Sequence, residues 1–373
     1  MRDQFLLDPN VIFLNHGSFG ACPAPVFARY QQWQRELERQ PVAFLGRRYQ
    51  ALLDDARTAL ADYVNVAADA LIFVPNATAG INLVARSLDL KPGDEVLATD
   101  HEYGAIDRTW DFVCQKAGAH YRRQRIPTPI TDAEAVIEHL WAGVTPRTRV
   151  IAISHITSPT ALIFPVAEIC CRAREAGILT VIDGAHVPGQ MPLDIAAIDP
   201  DFYTGNCHKW LCTPKGAALL YARRDHHPWL EPLIISWGYE LGAGFVQQNQ
   251  WQGTQDIAAY LTVPAAITWQ HEQDWPAVRA RCHELAIEAR QRIHTLTGLP
   301  FIAPADWFAQ MFTVPVPVAD IDVLKTRLYD TYRIEVPGIT WDDRAWLRVS
   351  VQGYNTAADL DRLVDALARE LAL

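Results

Sequence analysis

The sequence lacks any long apolar run and any block of like charge. Its 373 residues include 33 basic and 43 acidic side chains, a net charge of −10, and both signs are interspersed along the chain. Without a basic patch, neither a nucleic acid nor an anionic membrane surface is favoured as a partner. No segment stays apolar over the ~20 residues that a membrane-spanning helix needs, so no membrane span is predicted.

A secretory signal and a cysteine framework are also missing. The N-terminal sequence MRDQFLLDPNVIFLNHG has no continuous apolar core and no small-residue cleavage site, and we therefore expect a cytoplasmic protein. The seven cysteines are scattered, and their odd number indicates reduced thiols. Because no C-x-x-C pair occurs, the proximity of Cys207, His208 and Cys212 is interpreted as coincidence, and no metal site is predicted.

The chain does contain short β-rich runs that alternate with helix-length segments from about residue 70. The runs are LIFVP, EVLAT, RVIAISH, LTVID, DFYTG and GAALLYA. This alternation predicts βαβ units and a largely parallel sheet with helices on both faces. After about residue 250 the pattern predicts two long helices and then a small α+β unit. We place an N-terminal arm at 1–20, a large domain at 21–252 and a small C-terminal domain at 253–373.

Polar side chains follow several of the predicted strands, where ligands bind in open α/β sheets. The turn NATAG at 76–80 suits a phosphate at a helix N-terminus, although taken alone it is more typical of an ordinary N-cap. HEY at 101–103 and HITSP at 155–159, taken singly, are also compatible with solvated loops. Asp183 ends the apolar run LTVI, where a buried carboxylate needs a cationic partner or several donors.

Lys209 lies between His208 and Trp210 in the weakly charged segment TGNCHKWL. A surface lysine is the ordinary interpretation of such a residue taken alone. A lysine in a desolvated pocket, however, has a lowered pKa and is nucleophilic toward carbonyls, as in Schiff-base enzymes. The combination with Asp183 and the NATAG turn favours the Schiff-base interpretation.

The order of these motifs resembles a known family. NAT, HEY, DGAH, HK, GT and the R-x-S of WLRVSV are similar to the motifs of the fold-type I pyridoxal-phosphate (PLP) enzymes of the aminotransferase class V family. LNHGSFG, FLGRR, HEYGA and HKWL with PKG most resemble its isopenicillin N epimerase-like branch. The resemblance covers nearly the whole chain and implies an α/β fold. It implies a large domain on a mainly parallel seven-stranded sheet, a smaller α+β C-terminal domain, PLP as cofactor, and a homodimer with shared active sites.

The resemblance also implies a role for each matched residue. Lys209 would form the Schiff base with PLP and move the α-proton, Asp183 would pair with the ring nitrogen, and His186 would contact the phenolic oxygen. Tyr103 would stack on the ring, near Ser158, which replaces an asparagine of the desulfurases. The residues expected to hold the phosphate are Ala77, Thr78, Asn206, His208 and, from the neighbouring subunit, Thr254.

On the substrate side, Arg348 matches the arginine that binds the α-carboxylate of an amino acid. A second base for epimerisation would be His16, His101 or Tyr103. His16 in LNHGSFG is equally compatible with a polar arm that pairs with a partner subunit. Arg47 and Arg48 in FLGRRY would lie near the site mouth and meet a second carboxylate, or else begin a solvated helix.

The motifs leave the reaction open, because several reactions begin with the same carbanion at Cα. We favour a C–S lyase that acts by β-elimination over an epimerase or racemase, and both over an aminotransferase. VPGITWDDRAW contains no cysteine, which argues against persulfide formation of the desulfurase type. No G-x-G-x-x-G follows a predicted strand, which disfavours a nicotinamide-dependent oxidoreductase. The presence of Lys209, Asp183 and Arg348 disfavours a non-catalytic binding protein.

Overall fold

A computed structural model of the chain describes residues 1–240 and 242–371. The strands form one seven-stranded, one three-stranded and one two-stranded sheet. They are β1 (Ile12–Phe13), β2 (Leu71–Val74), β3 (Glu95–Thr99), β4 (His120–Gln124), β5 (Thr148–Ser154), β6 (Leu179–Asp183), β7 (Phe202–Asn206), β8 (Ala218–Ala222), β9 (Met311–Pro315), β10 (Ile334–Glu335), β11 (Gly338–Trp341) and β12 (Arg344–Ser350).

Helices cover the sheets and connect most of the strands. They are α1 (His16–Phe19), α2 (Ala24–Arg39), α3 (Tyr49–Tyr63), α4 (Ala77–Ser87), α5 (Gly104–Ala117), α6 (Ala133–Trp141), α7 (Val166–Glu175), α8 (Ile195–Ile198), α9 (Phe245–Gln250), α10 (Ala258–Leu261), α11 (Val263–Glu272), α12 (Trp275–Thr297), α13 (Ile321–Tyr332) and α14 (Ala357–Glu370). A π-helical segment, Val42–Arg48, precedes α3. Within the described ranges, no helix combines the length and the apolar character that crossing a membrane requires.

The seven-stranded sheet has the order β2-β8-β7-β6-β5-β3-β4. Strand β8 runs antiparallel to both of its neighbours, whereas the other pairs are parallel. The prediction of a mainly parallel seven-stranded sheet is therefore confirmed. Because parallel strands end at the same edge of a sheet, the residues that end β3, β5, β6 and β7 lie along one edge: Thr99, Ser154, Asp183 and Asn206.

Alternating side chains on these strands fill two separate hydrophobic cores. Ile151, Ile153 and Ile182 belong to the core on one face, and their neighbours Val150 and Val181 belong to the core on the other face. This follows from the period of two in an extended chain. Each fully buried Val or Ile side chain stabilises the fold by about 1.5–3 kcal/mol, so both faces of the sheet are held under helices and the polar strand ends remain at the edge.

The C-terminal part has its own core, around the antiparallel sheet β11-β12-β9. The N-terminal segment belongs to this core, since β1 pairs in parallel with β10 and Phe5 and Leu14 are buried in it. The segment predicted as an arm is thus packed on the C-terminal unit. Ile257 and Val263 pack instead with the core of the main sheet. The division at residue 252 stays a prediction.

Candidate active site

A cavity of about 240 Å³ lies at the edge of the main sheet where the parallel strands end. Apart from Thr254, every residue that the sequence predicted to contact the cofactor lines it. The lining residues are Ser18, Phe19, Asn76, Ala77, Thr78, Tyr103, Ser154, Ile156, Ser158, Asp183, Ala185, His186, Asn206, His208 and Lys209. A larger cavity of about 650 Å³ is lined mainly by proline and aliphatic side chains, and its charged residues, Asp343 and Arg344, are exposed.

Lys209 follows β7 and contributes its amine to the cavity wall. The pKa of Lys209 is lowered to about 7, mainly by burial and in part by the Arg348 guanidinium, whereas the Asp183 carboxylate opposes both effects. A lysine with this pKa is partly neutral at pH 7, and the neutral amine is the form that condenses with a carbonyl group.

His186 is the direct neighbour of that amine. Its Nε2 lies 3.3 Å from Lys209 Nζ, and its Nδ1 accepts a hydrogen bond of 3.4 Å from the indole N–H of Trp210. Burial and the nearby Lys209 hold the pKa of His186 well below its ordinary value, so the ring is neutral. With Nδ1 acting as an acceptor, the ring proton resides on Nε2, and His186 offers a donor to whatever lies beside Lys209 Nζ.

Asp183 ends β6 as a buried carboxyl group. Its side chain accepts one hydrogen bond, 2.9 Å from the Ala185 N–H. Burial raises the pKa of Asp183, while the Ala185 N–H and Lys209 lower it. A protonated pyridine nitrogen in the cavity would supply the positive charge that stabilises this carboxylate.

The first turn of α4 closes another side of the cavity. Asn76 caps the helix by accepting the Ala79 N–H at 2.9 Å. Asn206 Oδ1 accepts the Ala77 N–H at 2.8 Å, and this bond ties the turn to the end of β7. The N–H of Thr78 points out of the first turn, where no carbonyl of the helix can accept it. This corner therefore offers backbone and hydroxyl donors of Thr78 to an anion.

His208 lines the same corner. Its Nδ1 lies 3.2 Å from the carbonyl oxygen of Ala217. Burial and the adjacent Lys209 lower the pKa of His208 to about 4, so without an anion the ring is neutral. A phosphate dianion beside the ring would raise this pKa, because an opposite charge favours the protonated form.

Arg348 comes from β12, and its guanidinium is buried behind the cavity wall. Its Nη1 donates to Ser158 O at 2.7 Å and to Ser158 Oγ at 3.1 Å, and its Nη2 donates to Ser18 Oγ at 3.2 Å. Its Nε is buried and has no hydrogen-bond partner among the residues that the structure describes. Burial lowers the pKa of Arg348 to about 10, so it remains a cation at neutral pH with an unused donor for a carboxylate.

His16 and His101 do not line the cavity, which corrects the expected placement of His16 in the substrate site. His16 is fully buried, with Nδ1 3.0 Å from the Tyr354 hydroxyl and Nε2 2.9 Å from the Lys209 carbonyl oxygen. Burial lowers the pKa of His16 to about 3. His101 is likewise fully buried, between Thr160 and the carbonyl of Ile126. Both rings are occupied by structural hydrogen bonds.

Arg47 and Thr254 lie away from the cavity of their own chain. Arg47 is exposed in the π-helical segment and lines a separate groove with Trp237. Of the residues in the motif LNHGSFG, Ser18 and Phe19 line the cavity in place of His16. Gly20 in that motif has φ 69°, and a Cβ atom at this position would collide with the His208 carbonyl oxygen, so the motif packs directly against the segment that carries Lys209.

The residues present fit PLP. The corner at α4 has donors for a phosphate, Asp183 is a buried acid suited to a ring cation, and Lys209 is a partly neutral amine for the carbonyl group. The Nε of Arg348, without a partner in the described ranges, can donate to a further anionic group such as the carboxylate of an amino-acid substrate.

Comparison with known proteins gives matches over almost the whole chain. A family model described as aminotransferase class-V matches residues 21–363. An isopenicillin N epimerase from Amycolatopsis lactamdurans is 37% identical, over 98% of this chain and 96% of its own. A probable chloroplastic L-cysteine desulfhydrase from Arabidopsis thaliana is 29% identical, over 96% of this chain and 83% of its own.

Solved structures show the same fold. The cysteine desulfurase CsdA from Escherichia coli superposes with a TM-score of 0.84 at 24% identity, covering 100% of this chain and 97% of its own. A structure of C-DES with glycine covalently linked to the PLP cofactor superposes with a TM-score of 0.85 at 23% identity, covering 99% of each chain. The predictions of fold type I and of PLP as the cofactor are confirmed.

Proposed function

Because the chain belongs to the aminotransferase class-V family and to its isopenicillin N epimerase-like branch, we propose that this PLP-dependent enzyme is a C–S lyase. Its substrate would be an amino acid with sulfur on Cβ, cleaved by β-elimination. Bound PLP supplies an electron sink that stabilises negative charge at Cα. The protein then has to hold the amino acid, orient its Cα–H bond and move protons.

Each of these tasks falls to a residue at the cavity. Arg348 binds the substrate carboxylate with its buried guanidinium and so fixes the position of Cα. Lys209 Nζ removes the Cα proton, and its lowered pKa suits both the uptake and the return of a proton near pH 7. His186 donates from Nε2 beside Lys209 Nζ, and the Asp183 carboxylate would pair with the protonated ring nitrogen of the cofactor. The sulfur leaves as a thiolate, which takes up a proton.

The placement of His16 and His101 is the observation that favours elimination. Epimerisation by two bases needs a second base on the face of the substrate opposite Lys209. Of the three side chains considered for that role, the two histidines are buried in structural hydrogen bonds. A site with one principal base is sufficient for β-elimination, and the desulfhydrase relative supports this class of reaction.

An epimerase is the second candidate, and Tyr103 is the specific observation in its favour. Tyr103 lines the cavity, is 49% exposed and is the remaining candidate for a second base. The relative that shares 37% identity is described as an isopenicillin N epimerase. Transamination shares the first proton removal, but no contact at the cavity favours it.

A homodimer belongs to the same proposal. Ile234, Ile235 and Trp237 are 49%, 63% and 90% exposed, and they precede Thr254, the residue expected to reach the partner's phosphate. Apolar patches of this kind mark interaction surfaces. In the dimer, Arg47 would face the partner's site from the groove that it shares with Trp237.

A substrate panel distinguishes the reactions. The purified enzyme is incubated in D₂O with L-cysteine, S-alkylcysteines, their S-oxides and sulfur-free amino acids. We expect pyruvate and ammonia in equal amounts from the sulfur compounds after hydrolysis by water, together with one sulfide or thiol, or with one sulfenic acid from each S-oxide, and Lys209→Ala serves as the inactive control. Recovered amino acid with inverted configuration and deuterium at Cα, without pyruvate, would instead identify an epimerase. A 2-oxo acid that keeps the side chain would identify an aminotransferase.

A further inference from the structure

Glu102 is a buried acid that lies directly behind the cavity wall. It is 7% exposed and precedes Tyr103, which lines the cavity. Thr99 Oγ1 donates to Glu102 Oε1 at 2.6 Å, and Ser154 Oγ lies 2.6 Å from Glu102 Oε2. Both carboxyl oxygens are therefore bound by hydroxyl groups, and no cationic side chain of residues 1–240 or 242–371 forms an ion pair with them.

The charged groups around Glu102 are mainly acids. Asp183 faces it from β6 and Asp107 from α5. Tyr121 of β4 donates its hydroxyl to Asp107 at 2.6 Å, and the guanidinium of Arg123 lies 3.7 Å from the other oxygen of Asp107, so this cation is paired with a different acid. The pKa of Glu102 is raised to about 8, mainly because burial disfavours the charged form; the hydroxyl groups of Ser154 and Thr99 oppose this rise, and Asp183 and Asp107 add to it.

The hydrogen bonds define where the proton of a neutral Glu102 resides. Thr99 Oγ1 accepts the His101 N–H at 3.2 Å and directs its own proton to Oε1. The carboxyl proton then lies on Oε2 and is donated to Ser154 Oγ. Ser154 Oγ then accepts a hydrogen bond from Glu102, and its own hydroxyl proton is available to another acceptor. With an ionised Glu102, Ser154 would have to donate to the carboxylate instead.

Ser154 connects this pair to the cofactor site. It ends β5, lines the cavity, and is the register partner of Asp183 in the adjacent parallel strand. We propose that Glu102 is held as a neutral acid and thereby turns the Ser154 hydroxyl into a hydrogen-bond donor for the cavity floor beside Asp183. Glu102 is a positioning residue that limits this end of the site to one negative charge. The role concerns the cofactor site and does not depend on which reaction the enzyme performs.

The first test uses the enzyme without PLP and compares the wild type with Glu102→Gln, which has the same shape and is neutral at every pH. In the unfolded chain Glu102 ionises near pH ~4.3, whereas in the folded chain it keeps its proton up to about pH 8. The stability associated with the neutral carboxyl is therefore lost as the pH rises between these values. We expect the Tm of the wild type to fall by several degrees relative to Glu102→Gln from pH 5 to pH 9. An exposed acid, in the variant Glu134→Gln, serves as the control.

The second test follows the absorbance of bound PLP. We expect a spectral titration between pH 7 and pH 9 in the wild type that is missing in both Glu102→Gln and Ser154→Ala. Ser154→Ala should still show the Tm dependence of the wild type, because it keeps the buried carboxyl and loses only the link to the cavity. A Tm difference that is constant with pH, or a titration that persists in Glu102→Gln, would overturn the proposal. Neither measurement depends on finding the substrate.

Discussion

Replacing Arg348 with alanine tests whether the buried guanidinium binds the substrate carboxylate. In the described part of the wild-type chain, Nε has no partner and Nη2 makes one bond of 3.2 Å to the neutral Ser18 hydroxyl, so two donors are available to a carboxylate. The substitution keeps the bonds of the main sheet intact, because Arg348 lies in the separate sheet that contains β12.

The magnitude follows from the hydrogen bonds that are lost. A hydrogen bond to a charged group contributes about 1.5–3 kcal/mol, and the bond that Nη2 gives up to bind substrate offsets about 0.5–1.5 kcal/mol. Two such bonds to the carboxylate contribute about 3–6 kcal/mol, so the net loss is about 2.5–4.5 kcal/mol. This corresponds to a fall in kcat/KM of roughly 10²- to 10³-fold, at 1.4 kcal/mol for each factor of ten. We expect most of it as a higher KM, since the contact is made before and during the reaction. Arg348→Lys keeps the charge without the planar fork and should lose less.

The assay compares each amino acid with the amine that lacks its carboxylate. The wild type should prefer the amino acid by the same factor that Arg348→Ala loses, and the variant should act equally on both compounds. The absorbance of bound PLP confirms that the variant is folded and loaded. Equal losses on the amino acid and on the amine, or an unchanged kcat/KM, would refute the carboxylate role of Arg348.

Two further predictions concern the lysine and the exposed apolar patch. The rate at which the PLP-free enzyme binds PLP should rise through pH 7 and level off above it, because Lys209 with a pKa of about 7 reacts as the neutral amine. Lys209→Ala should lack the Schiff-base absorbance that borohydride bleaches. A rate of PLP binding that does not change with pH would contradict the assignment of Lys209. The double variant Ile235→Lys, Trp237→Ser should shift the protein from dimer to monomer in sedimentation velocity, because the exposed apolar surface would carry a charge. Phe112→Ser, at another exposed apolar residue, is the control. A double variant that stays dimeric would exclude the surface around Ile235 and Trp237 as the interface.

Much of the cofactor site was predictable from the sequence because its residues follow strands. Asp183 ends a β-branched run and Lys209 follows a strand, so the pattern of buried strands places both at one edge of a parallel sheet. The same holds for the turn that begins α4. These positions depend on local pattern and on the general geometry of α/β folds.

The substrate side was harder to predict because its parts come from distant segments. His16 and Phe19 lie in one short motif, but His16 turns into the interior toward Tyr354 whereas Phe19 lines the cavity. The direction in which each of these side chains points depends on how the C-terminal unit packs against the motif, and the local sequence does not determine that packing. The sequence did not indicate a function for Trp210. The structure shows that its indole N–H donates a hydrogen bond to His186.

Sequence alone determined the order of the strands along the chain and the cofactor class, and it singled out Lys209 as the residue proposed to bind the cofactor, since hydrophobic periodicity and motif spacing are local properties. The tertiary structure decided which polar residues face the cavity and which are consumed by internal hydrogen bonds. It also decided the pKa values of buried groups: Glu102 is an ordinary acid in the sequence, and its pKa is raised because folding buries the carboxyl group and places Asp183 and Asp107 near it.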